Sequence, residues 1–252
     1  MRVLILGGTS EASALGRALI GDGRFDATFS LAGRTQNPAR QPLPTRVGGF
    51  GGVDGLARYL LENRVDALID ATHPFAVQMT RNAALAARQT AIPLLVVNRP
   101  AWEKQPGDLW VTVPDVQTAA QALGTDPRRV LLTIGQKDLS AFTSAPCHDY
   151  VIRSVDAPHP QSLPPRAEVI TARGPFAVSD ECALLRRHKV DLLVTKNSGG
   201  TATVAKLVAA RLLQLRVIMI SRPAMPAVET VATVAEALAW LQSYHAPARR
   251  GV

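Results

Sequence analysis

The sequence has few cysteines and few aromatic residues, and it has no long apolar run. Two cysteines, Cys147 and Cys182, supply neither a disulfide framework nor a set of zinc ligands. Aromatic residues make up 5% of the 252 residues, so Val, Leu, Ile and Ala must form the core. No stretch approaches the roughly 20 apolar residues that span a bilayer, and the first apolar run is too short for a signal peptide. These absences predict a soluble, cytoplasmic globular protein.

Several catalytic signatures are also missing. None of the three tyrosines is followed by lysine at the Tyr-x-x-x-Lys spacing, which excludes the mechanism of short-chain dehydrogenases. There is no Gly-x-Ser-x-Gly turn and no lysine of a phosphate-binding loop. The five histidines show no metal-ligand spacing, and we therefore expect no metal.

The charge is positive, with 28 Lys and Arg against 20 Asp and Glu, a net charge of +8. Such a balance suits nucleic acid, a membrane surface or an anionic small molecule. The arginines are spread along the chain, and no series of aromatic residues accompanies them for stacking on bases. We therefore expect an acidic small-molecule ligand, with a merely solvated basic surface as the alternative.

Short apolar runs alternate with amphipathic stretches, which predicts an α/β fold with mostly parallel sheets. The second half repeats the first, and we therefore predict two similar domains, residues 1–100 and 101–252. An interdomain cleft would face the carboxyl ends of both sheets, where open α/β folds bind ligands. The matched segments are Arg2–Gly7 with Arg129–Gly135, Val65–Asp70 with Val190–Thr195, and Arg99-Pro100-Ala101 with Arg222-Pro223-Ala224.

The first motif lies between the first strand and the first helix and consists of Gly7, Gly8, Thr9, Ser10 and Glu11. Two glycines allow a tight turn and a close approach to a phosphate, and the helix start presents free N–H groups. The spacing differs from the dinucleotide fingerprint Gly-x-Gly-x-x-Gly, and a turn that binds nothing is the alternative. Its position after the first strand favours a phosphate site.

The end of the second strand carries Gly33, Arg34 and Thr35 and no acidic residue. Folds that bind NAD place Asp or Glu about 20 residues after the glycines, where it accepts a hydrogen bond from the ribose. A guanidinium at this place suits the 2′-phosphate instead. The sequence therefore predicts NADPH rather than NADH.

Polar residues also follow the later strands. Asp70-Ala71-Thr72-His73-Pro74-Phe75 ends a buried strand, and His73 is a candidate proton donor because its pKa can be tuned near neutrality. The second half offers matching polar and basic strand ends that look like anion sites. These are Gly135-Gln136-Lys137-Asp138, Arg173-Gly174-Pro175-Phe176 and Thr195-Lys196-Asn197-Ser198-Gly199-Gly200.

Taken together, these motifs resemble the precorrin-6A reductase family of cobalamin biosynthesis, over nearly the whole chain and in the same order. The resemblance implies two Rossmann-like domains and reduction of precorrin-6A to precorrin-6B by NADPH, through direct hydride transfer without flavin or metal. The branch that acts on the cobalt-containing substrate is closely similar, and the motifs do not separate the two. A polyanionic tetrapyrrole substrate agrees with the positive charge.

We accordingly assign candidate roles. The catalytic candidates are His73, Lys137 and Lys196, and the proton comes from His73, a lysine or water. The candidates for cofactor binding are Gly7, Gly8, Thr9, Ser10, Glu11, Gly33, Arg34, Thr35, Asp70, Ala71 and Thr72. The candidates for substrate binding are His73, Pro74, Phe75, Arg173, Gly174, Lys196, Asn197, Ser198 and Gly199.

Two functions from other classes stay open: a two-domain nucleotide-sugar transferase, and a two-lobed protein that binds tetrapyrroles without turnover. We expect a monomer that binds neither nucleic acid nor membrane, with adjacent enzymes of the cobalamin pathway as candidate partners.

Overall fold

The fold is known from a computed structural model, which describes residues 1–33 and 40–245. The chain divides into two compact units. The first contains Met1–Pro100 and the chain from Ala224 onward, and the second contains Ala101–Pro223. Each unit is built on one six-stranded sheet in which all neighbouring strands run parallel. This architecture confirms the predicted α/β class.

The sheet of the first unit has the strand order β12-β5-β4-β1-β2-β3. From β1, the next strands β2 and β3 are added on one side, whereas β4 and β5 are added on the other side. The carboxyl ends of β1 and β4 therefore form the topological switch point, where open α/β sheets bind ligands. The elements of this unit are β1 (Arg2–Leu6), α1 (Ser10–Ala18), β2 (Asp26–Leu31), β3 (Thr45–Val47), α2 (Gly52–Glu62), β4 (Ala67–Asp70), α3 (Val77–Thr90), β5 (Leu94–Val97), β12 (Thr230–Val231) and α7 (Val234–His245).

The central strands of this sheet are buried because helices cover both faces. In β1, Val3 and Ile5 pack with α1 and α7, and Leu4 and Leu6 pack with α2 and α3. A strand covered on both faces reads as a continuous apolar run, and for this reason β1 is visible in the sequence. The core therefore fixes the end of β1, where the glycine turn begins.

The second unit repeats this order as β6-β11-β10-β7-β8-β9. Two 3-10 helices also belong to it, Gln136–Ser144 after β7 and Pro160–Ser162 after β8. The strands and α-helices are β6 (Leu109–Val113), α4 (Val116–Gln121), β7 (Arg129–Thr133), β8 (Asp149–Ser154), β9 (Ala167–Thr171), α5 (Val178–Arg187), β10 (Leu192–Lys196), α6 (Ala205–Leu212) and β11 (Arg216–Ile220).

The two units exchange their sixth strands. In the chain β6 follows β5, yet it pairs with β11 in the second sheet. Likewise β12 follows β11, yet it pairs with β5 in the first sheet. The chain passes from one unit to the other at Pro100–Ala101 and returns at Pro223–Ala224, in each case between Pro and Ala of an Arg-Pro-Ala anchor of the repeat.

This exchange corrects the predicted division of the chain. The boundary after residue 100 agrees with the first crossing, but the chain from Ala224 onward belongs to the first unit and not to a domain of residues 101–252. The physical reason is burial, because Ala237, Trp240 and Leu241 of α7 lie in the core around β1 and α1. No helix in the described part of the chain has the length and apolar character of a membrane span.

Candidate active site

The turn after β1 needs its two glycines for different reasons. A Cβ atom on Gly7 would lie 2.0 Å from Cε1 of Phe29, so the ring leaves no room for a side chain. Gly8 has φ of +120°, and nothing lies within 4 Å of the place where its Cβ would be. Gly8 therefore leaves an open space above the backbone at the start of α1.

Thr9 ties this turn to the end of β4. Its hydroxyl accepts a hydrogen bond from the Ala12 N–H at 3.1 Å, which caps α1, and donates to the Ala71 carbonyl at 2.7 Å. The hydroxyl acts both as a donor and as an acceptor. Its two hydrogen bonds fix the position of the glycine turn relative to the end of β4.

Glu11 forms an ion pair with Arg99 and also accepts a hydrogen bond from the Ser10 hydroxyl at 3.0 Å. The side chains of Glu11 and Arg99 are 20% and 13% exposed, so water screens this pair less than an ion pair on the open surface. Glu11 was expected to bind the cofactor, but its carboxylate links the first turn of α1 to the end of β5. Arg99 appeared in the sequence only as part of a repeat.

Asp70 lies beneath the surface, with 1% of its area exposed. One carboxylate oxygen accepts hydrogen bonds from the Thr72 N–H at 3.0 Å and the Thr72 hydroxyl at 2.7 Å, and the other accepts from the Thr80 hydroxyl at 2.6 Å. Burial raises the pKa of Asp70, and the hydrogen bonds from Thr80 and Thr72 oppose that rise. Asp70 thus joins the end of β4 to α3 and is not accessible to a ligand.

His73 lies in the turn between β4 and α3 and is half-buried. Its Nδ1 accepts a hydrogen bond from the Phe75 N–H at 3.2 Å, and its carbonyl accepts from the Ala76 N–H at 2.7 Å. In a neutral imidazole with Nδ1 as acceptor, the proton lies on Nε2. The turn therefore orients the ring and selects the tautomer that can donate from Nε2.

The second unit has its polar residues at the carboxyl ends of β7 and β10. Lys196 forms an ion pair with Asp138, which follows β7. Lys137 is exposed and makes no ion pair within the described residues. The side chain of Asn197 forms two hydrogen bonds with the backbone of Trp102, and Ser198 and Gly199 are buried.

The segment Arg173–Phe176 packs on a buried ion pair. The ring of Phe176 lies 4.0 Å from the guanidinium carbon of Arg153, and Arg153 is paired with Glu181. The Gly174–Pro175 peptide bond is cis, and Arg173 is exposed beside it. The buried pair thereby supports the segment that carries Arg173.

Comparison with known proteins places this geometry in a family. The family model "Precorrin-6x reductase CbiJ/CobK" matches residues 2–242. The chain is 49% identical to the precorrin-6A reductase of Rhodobacter capsulatus, over 100% of this chain and 99% of that protein. It is 32% identical to the cobalt-precorrin-6A reductase of Priestia megaterium, over 88% of this chain and 90% of that protein. A solved structure, "CobK precorrin-6A reductase", matches with a TM-score of 0.92 and 49% identity over the whole of both chains.

The chain belongs to the precorrin-6x reductase family. The resemblance seen in the motifs is thereby confirmed, and the protein is a reductase.

The predicted site residues of the reductase fall into two sets, one in each unit. In the first unit the set contains the glycine turn, Ser10, Glu11 and residues 70–75. Gly33 follows β2, is exposed and has φ of +70°. Arg34 and Thr35 lie outside the described residues. In the second unit the set contains Lys137, Arg173, Gly174 and residues 196–199.

Three arginines of the reductase hold strand ends and were not among the predicted site residues. Arg99 pairs with Glu11, and Arg222 donates to the carbonyls of Asn197 and Ser198. Arg46 donates to the Ser30 hydroxyl at 2.7 Å and to the Gly48 carbonyl at 2.9 Å. Their partners are distant in sequence or belong to a glycine loop, so the sequence does not show these contacts. The repeated Arg-Pro-Ala marked Arg99 and Arg222 but gave them no role.

Within residues 1–33 and 40–245, no three or more His, Cys, Asp and Glu side chains are grouped so that they could hold a metal ion. Cys147 and Cys182 are free thiols.

Proposed function

We propose that this reductase converts precorrin-6A to precorrin-6B in cobalamin biosynthesis, with NADPH as the reductant and without flavin or metal. The observation that carries the proposal is the 49% identity to the Rhodobacter capsulatus precorrin-6A reductase over essentially both full lengths. The lower identity of 32% to the cobalt-precorrin-6A reductase of Priestia megaterium supports the metal-free substrate over the cobalt-containing one.

The residues of the first unit fit a dinucleotide. The open space above Gly8 and the N–H groups at the start of α1 suit a pyrophosphate, because backbone donors and the helix dipole favour negative charge there. In this proposal Gly7, Gly8, Thr9 and Ser10 hold the pyrophosphate side of NADPH, and Gly33, Arg34 and Thr35 hold the ribose with its 2′-phosphate. The buried Asp70 holds Thr72 by two hydrogen bonds, and Ala71 and Thr72 shape the neighbouring wall.

The residues of the second unit fit a polyanion. Lys137 and Arg173 are exposed near the carboxyl ends of β7 and β9, and Lys196 ends β10. Together with a net charge of +8, these cations suit a macrocycle that carries several carboxylates. We assign Lys137, Arg173, Gly174, Lys196, Ser198 and Gly199 to the carboxylates of the substrate.

The reaction adds two electrons and two hydrogens across one carbon–carbon double bond of the macrocycle. When bound, the reduced nicotinamide supplies the hydride, and one proton completes the product. We propose that the imidazolium form of His73 supplies this proton, because loss of a proton from the neutral ring would leave an imidazolate, and that the turn from His73 to Phe75 orients the ring. Pro74 and Phe75 keep the imidazole against the substrate, and Lys137 and Lys196 are the alternative donors.

The test is an anaerobic assay of the purified protein with precorrin-6A, with NADPH and NADH in parallel. Loss of the NADPH absorbance in step with the change of the macrocycle spectrum is expected. Arg34→Ala is expected to weaken the binding of NADPH about tenfold or more and the binding of NADH little, because only NADPH carries the 2′-phosphate. Arg40→Ala, at an exposed arginine six residues later in the sequence, serves as the matched control.

Other outcomes separate the alternatives. Equal effects of Arg34→Ala on both cofactors contradict the role of Arg34. Turnover of cobalt-precorrin-6A alone indicates the cobalt branch, and activity that depends on a bound flavin or metal contradicts the direct transfer. Consumption of a sugar nucleotide without nicotinamide oxidation indicates a transferase, and tetrapyrrole binding without turnover indicates a binding protein. We propose a cytoplasmic monomer, with neighbouring enzymes of the pathway as partners.

A further inference from the structure

The Lys196–Gly200 loop begins at the last residue of β10 and is bound by the first residues of the second unit. The Trp102 N–H donates to Oδ1 of Asn197 at 2.7 Å, and Nδ2 of Asn197 donates to the Trp102 carbonyl at 2.9 Å. The indole N–H of Trp102 donates to the Gly200 carbonyl at 2.8 Å. The Asn197 amide therefore pairs with one backbone residue in both directions, and its side chain is directed at Trp102.

The same loop is bound by the last residues of that unit. Nε of Arg222 donates to the Asn197 carbonyl at 2.9 Å, and Nη2 donates to the Ser198 carbonyl at 3.1 Å. In a trans peptide the C=O and N–H groups point in opposite directions. By holding the Ser198 carbonyl, Arg222 directs the Gly199 N–H away from its own guanidinium.

Trp102 and Arg222 both stand next to a crossing between the units. The chain enters the second unit at Ala101 and leaves it at Pro223. Trp102 is the second residue of that unit and Arg222 the last but one, so the Lys196–Gly200 loop is attached to both crossings by hydrogen bonds within the unit. Lys206 is buried, and its Nζ lies 5.1 Å from the centre of the Trp102 ring.

We propose that Asn197 is a positioning residue and not a substrate ligand. Together with Trp102 and Arg222 it fixes the backbone from Lys196 to Gly200, so that Lys196, Ser198 and the Gly199 N–H are already arranged for a carboxylate of the substrate. A loop that is ordered before binding loses less conformational entropy when the ligand arrives, and this raises affinity. The inference rests on the proposed function, which assigns this loop to the tetrapyrrole.

The test compares Asn197→Ala, Asn197→Asp and Trp102→Phe. Asn197→Ala removes both hydrogen bonds to Trp102, and Asn197→Asp keeps the acceptor but places a carboxylate oxygen against the Trp102 carbonyl. Trp102→Phe removes only the indole donor to Gly200. Asn82→Ala in α3 of the first unit is the matched control.

Two measurements are made on each full-length variant. Steady-state kinetics give kcat and the KM values for tetrapyrrole and for NADPH. The ¹⁵N spectrum of the indole groups, which has one signal for each of the three tryptophans, gives the exchange rate of the Trp102 N–H without any ligand. Trp102→Phe assigns that signal.

For Asn197→Ala we expect the KM for tetrapyrrole to rise about tenfold, as the loss of two hydrogen bonds implies. We expect the KM for NADPH to change less than about twofold, and the Trp102 indole N–H to exchange faster in the free protein. Asn197→Asp should act in the same direction, and Trp102→Phe more weakly. If Asn197→Ala does not fold, Asn197→Asp supplies both measurements and Trp102→Phe supplies the kinetics.

A raised KM for tetrapyrrole with an unchanged Trp102 exchange rate would show that Asn197 is a direct ligand and would overturn the proposal. Unchanged values of both quantities would also overturn it. The spectrum of the free protein needs no turnover, so it tests the positioning role even if the wild-type protein fails to oxidise NADPH. Failure of the wild-type protein in the assay would instead count against the proposed function.

Discussion

Gly7 and Gly8 are adjacent, yet substitution of each should have a different consequence. Alanine at Gly7 would put Cβ 2.0 Å from the Phe29 ring, and such overpacking costs about 1–3 kcal/mol or more. We expect Gly7→Ala to lower the unfolding midpoint in urea, and Phe29→Leu in the same chain to restore part of the loss. If Gly7→Ala destabilises the Phe29→Leu chain as much as it destabilises wild type, contact with Phe29 is not the cause.

Gly8→Ala should weaken cofactor binding as well as folding. The methyl group enters open space, but φ of +120° strains any other residue by about 1–3 kcal/mol, and the methyl group occupies the space assigned to the pyrophosphate. We expect about tenfold weaker NADPH binding by fluorescence titration. Gly49→Ala is the control, because no atom lies within 4 Å of its added Cβ and its φ is not positive. Equal affinity of Gly8→Ala and wild type would contradict a phosphate site at this turn.

Asp70 leads to a prediction on pH. Burial raises its pKa in the folded protein, so the folded state binds a proton that the unfolded state has already released. Stability from this group is therefore greatest below the ordinary aspartate pKa and falls as pH rises through the raised value. We expect the stability of wild type relative to Asp70→Asn, from urea unfolding, to decrease over that window. Asp54→Asn, at an exposed aspartate, is the control variant. An increase in the stability of wild type relative to Asp70→Asn would instead mean that the Thr72 and Thr80 hydrogen bonds outweigh burial.

At the scale of elements, the start of α7 carries a capping box. The Thr233 hydroxyl accepts from the Glu236 N–H at 3.2 Å, and Glu236 accepts from the Thr233 hydroxyl and from the N–H groups of Thr233 and Ala232, each at 2.9 Å. These hydrogen bonds hold the pKa of Glu236 below its ordinary value. The stability they give is present above the ordinary glutamate pKa and is lost as pH falls through the lowered value.

We therefore expect Glu236→Gln to unfold at lower urea concentration than wild type at pH 7, and the difference to shrink towards pH 4. Thr233→Ala should cost about 1 kcal/mol at pH 7, the usual value for loss of an N-cap. Glu229→Gln, an exposed glutamate outside the helix, is the control. A difference between Glu236→Gln and wild type that stays constant with pH would contradict the role of the carboxylate.

Elements that are covered on both faces could be predicted from the sequence, and elements that depend on a distant partner could not. β1, β4, β7 and β10 are continuous apolar runs in the centres of the two sheets, and they were predicted. β3 has three residues and β12 has two, which is too few to show a periodicity in the sequence. They are strands because they pair with β2 and β5, respectively.

The same distinction applies to the site. The glycine turn and His73 belong to local patterns that the sequence shows, and their roles stay predictions. Asn197 was predicted as a substrate ligand and Glu11 as a cofactor ligand from the motifs that contain them. The contact of Asn197 with Trp102, 95 residues away, and that of Glu11 with Arg99, 88 residues away, could not be predicted from those motifs. Composition and spacing identify polar strand ends, but they do not show which of those side chains are already bound within the protein.

At the scale of the whole molecule, the exchange of sixth strands makes the first unit dependent on the end of the chain. β12 adds the last strand of its sheet, and α7 buries Ala237 and Leu241 completely in the core that contains Leu15 and Leu95. The second unit receives its sixth strand, β6, from the middle of the chain and needs nothing beyond Pro223. Truncation should therefore affect the two units differently, although they are built on the same plan.

A chain that ends at Pro223 should lose the first unit selectively. Removal of one large buried apolar side chain costs about 2–5 kcal/mol, and this truncation removes several, which is comparable to the whole stability of a domain. By hydrogen exchange and mass spectrometry we expect rapid exchange in β1, β4 and β5 and retained protection in β7, β10 and β11. The control ends at His245 and keeps every described residue, so both units should stay protected. Equal loss of protection in both sheets would mean that the units fold as one cooperative body, because a strand exchange alone leaves the second core intact.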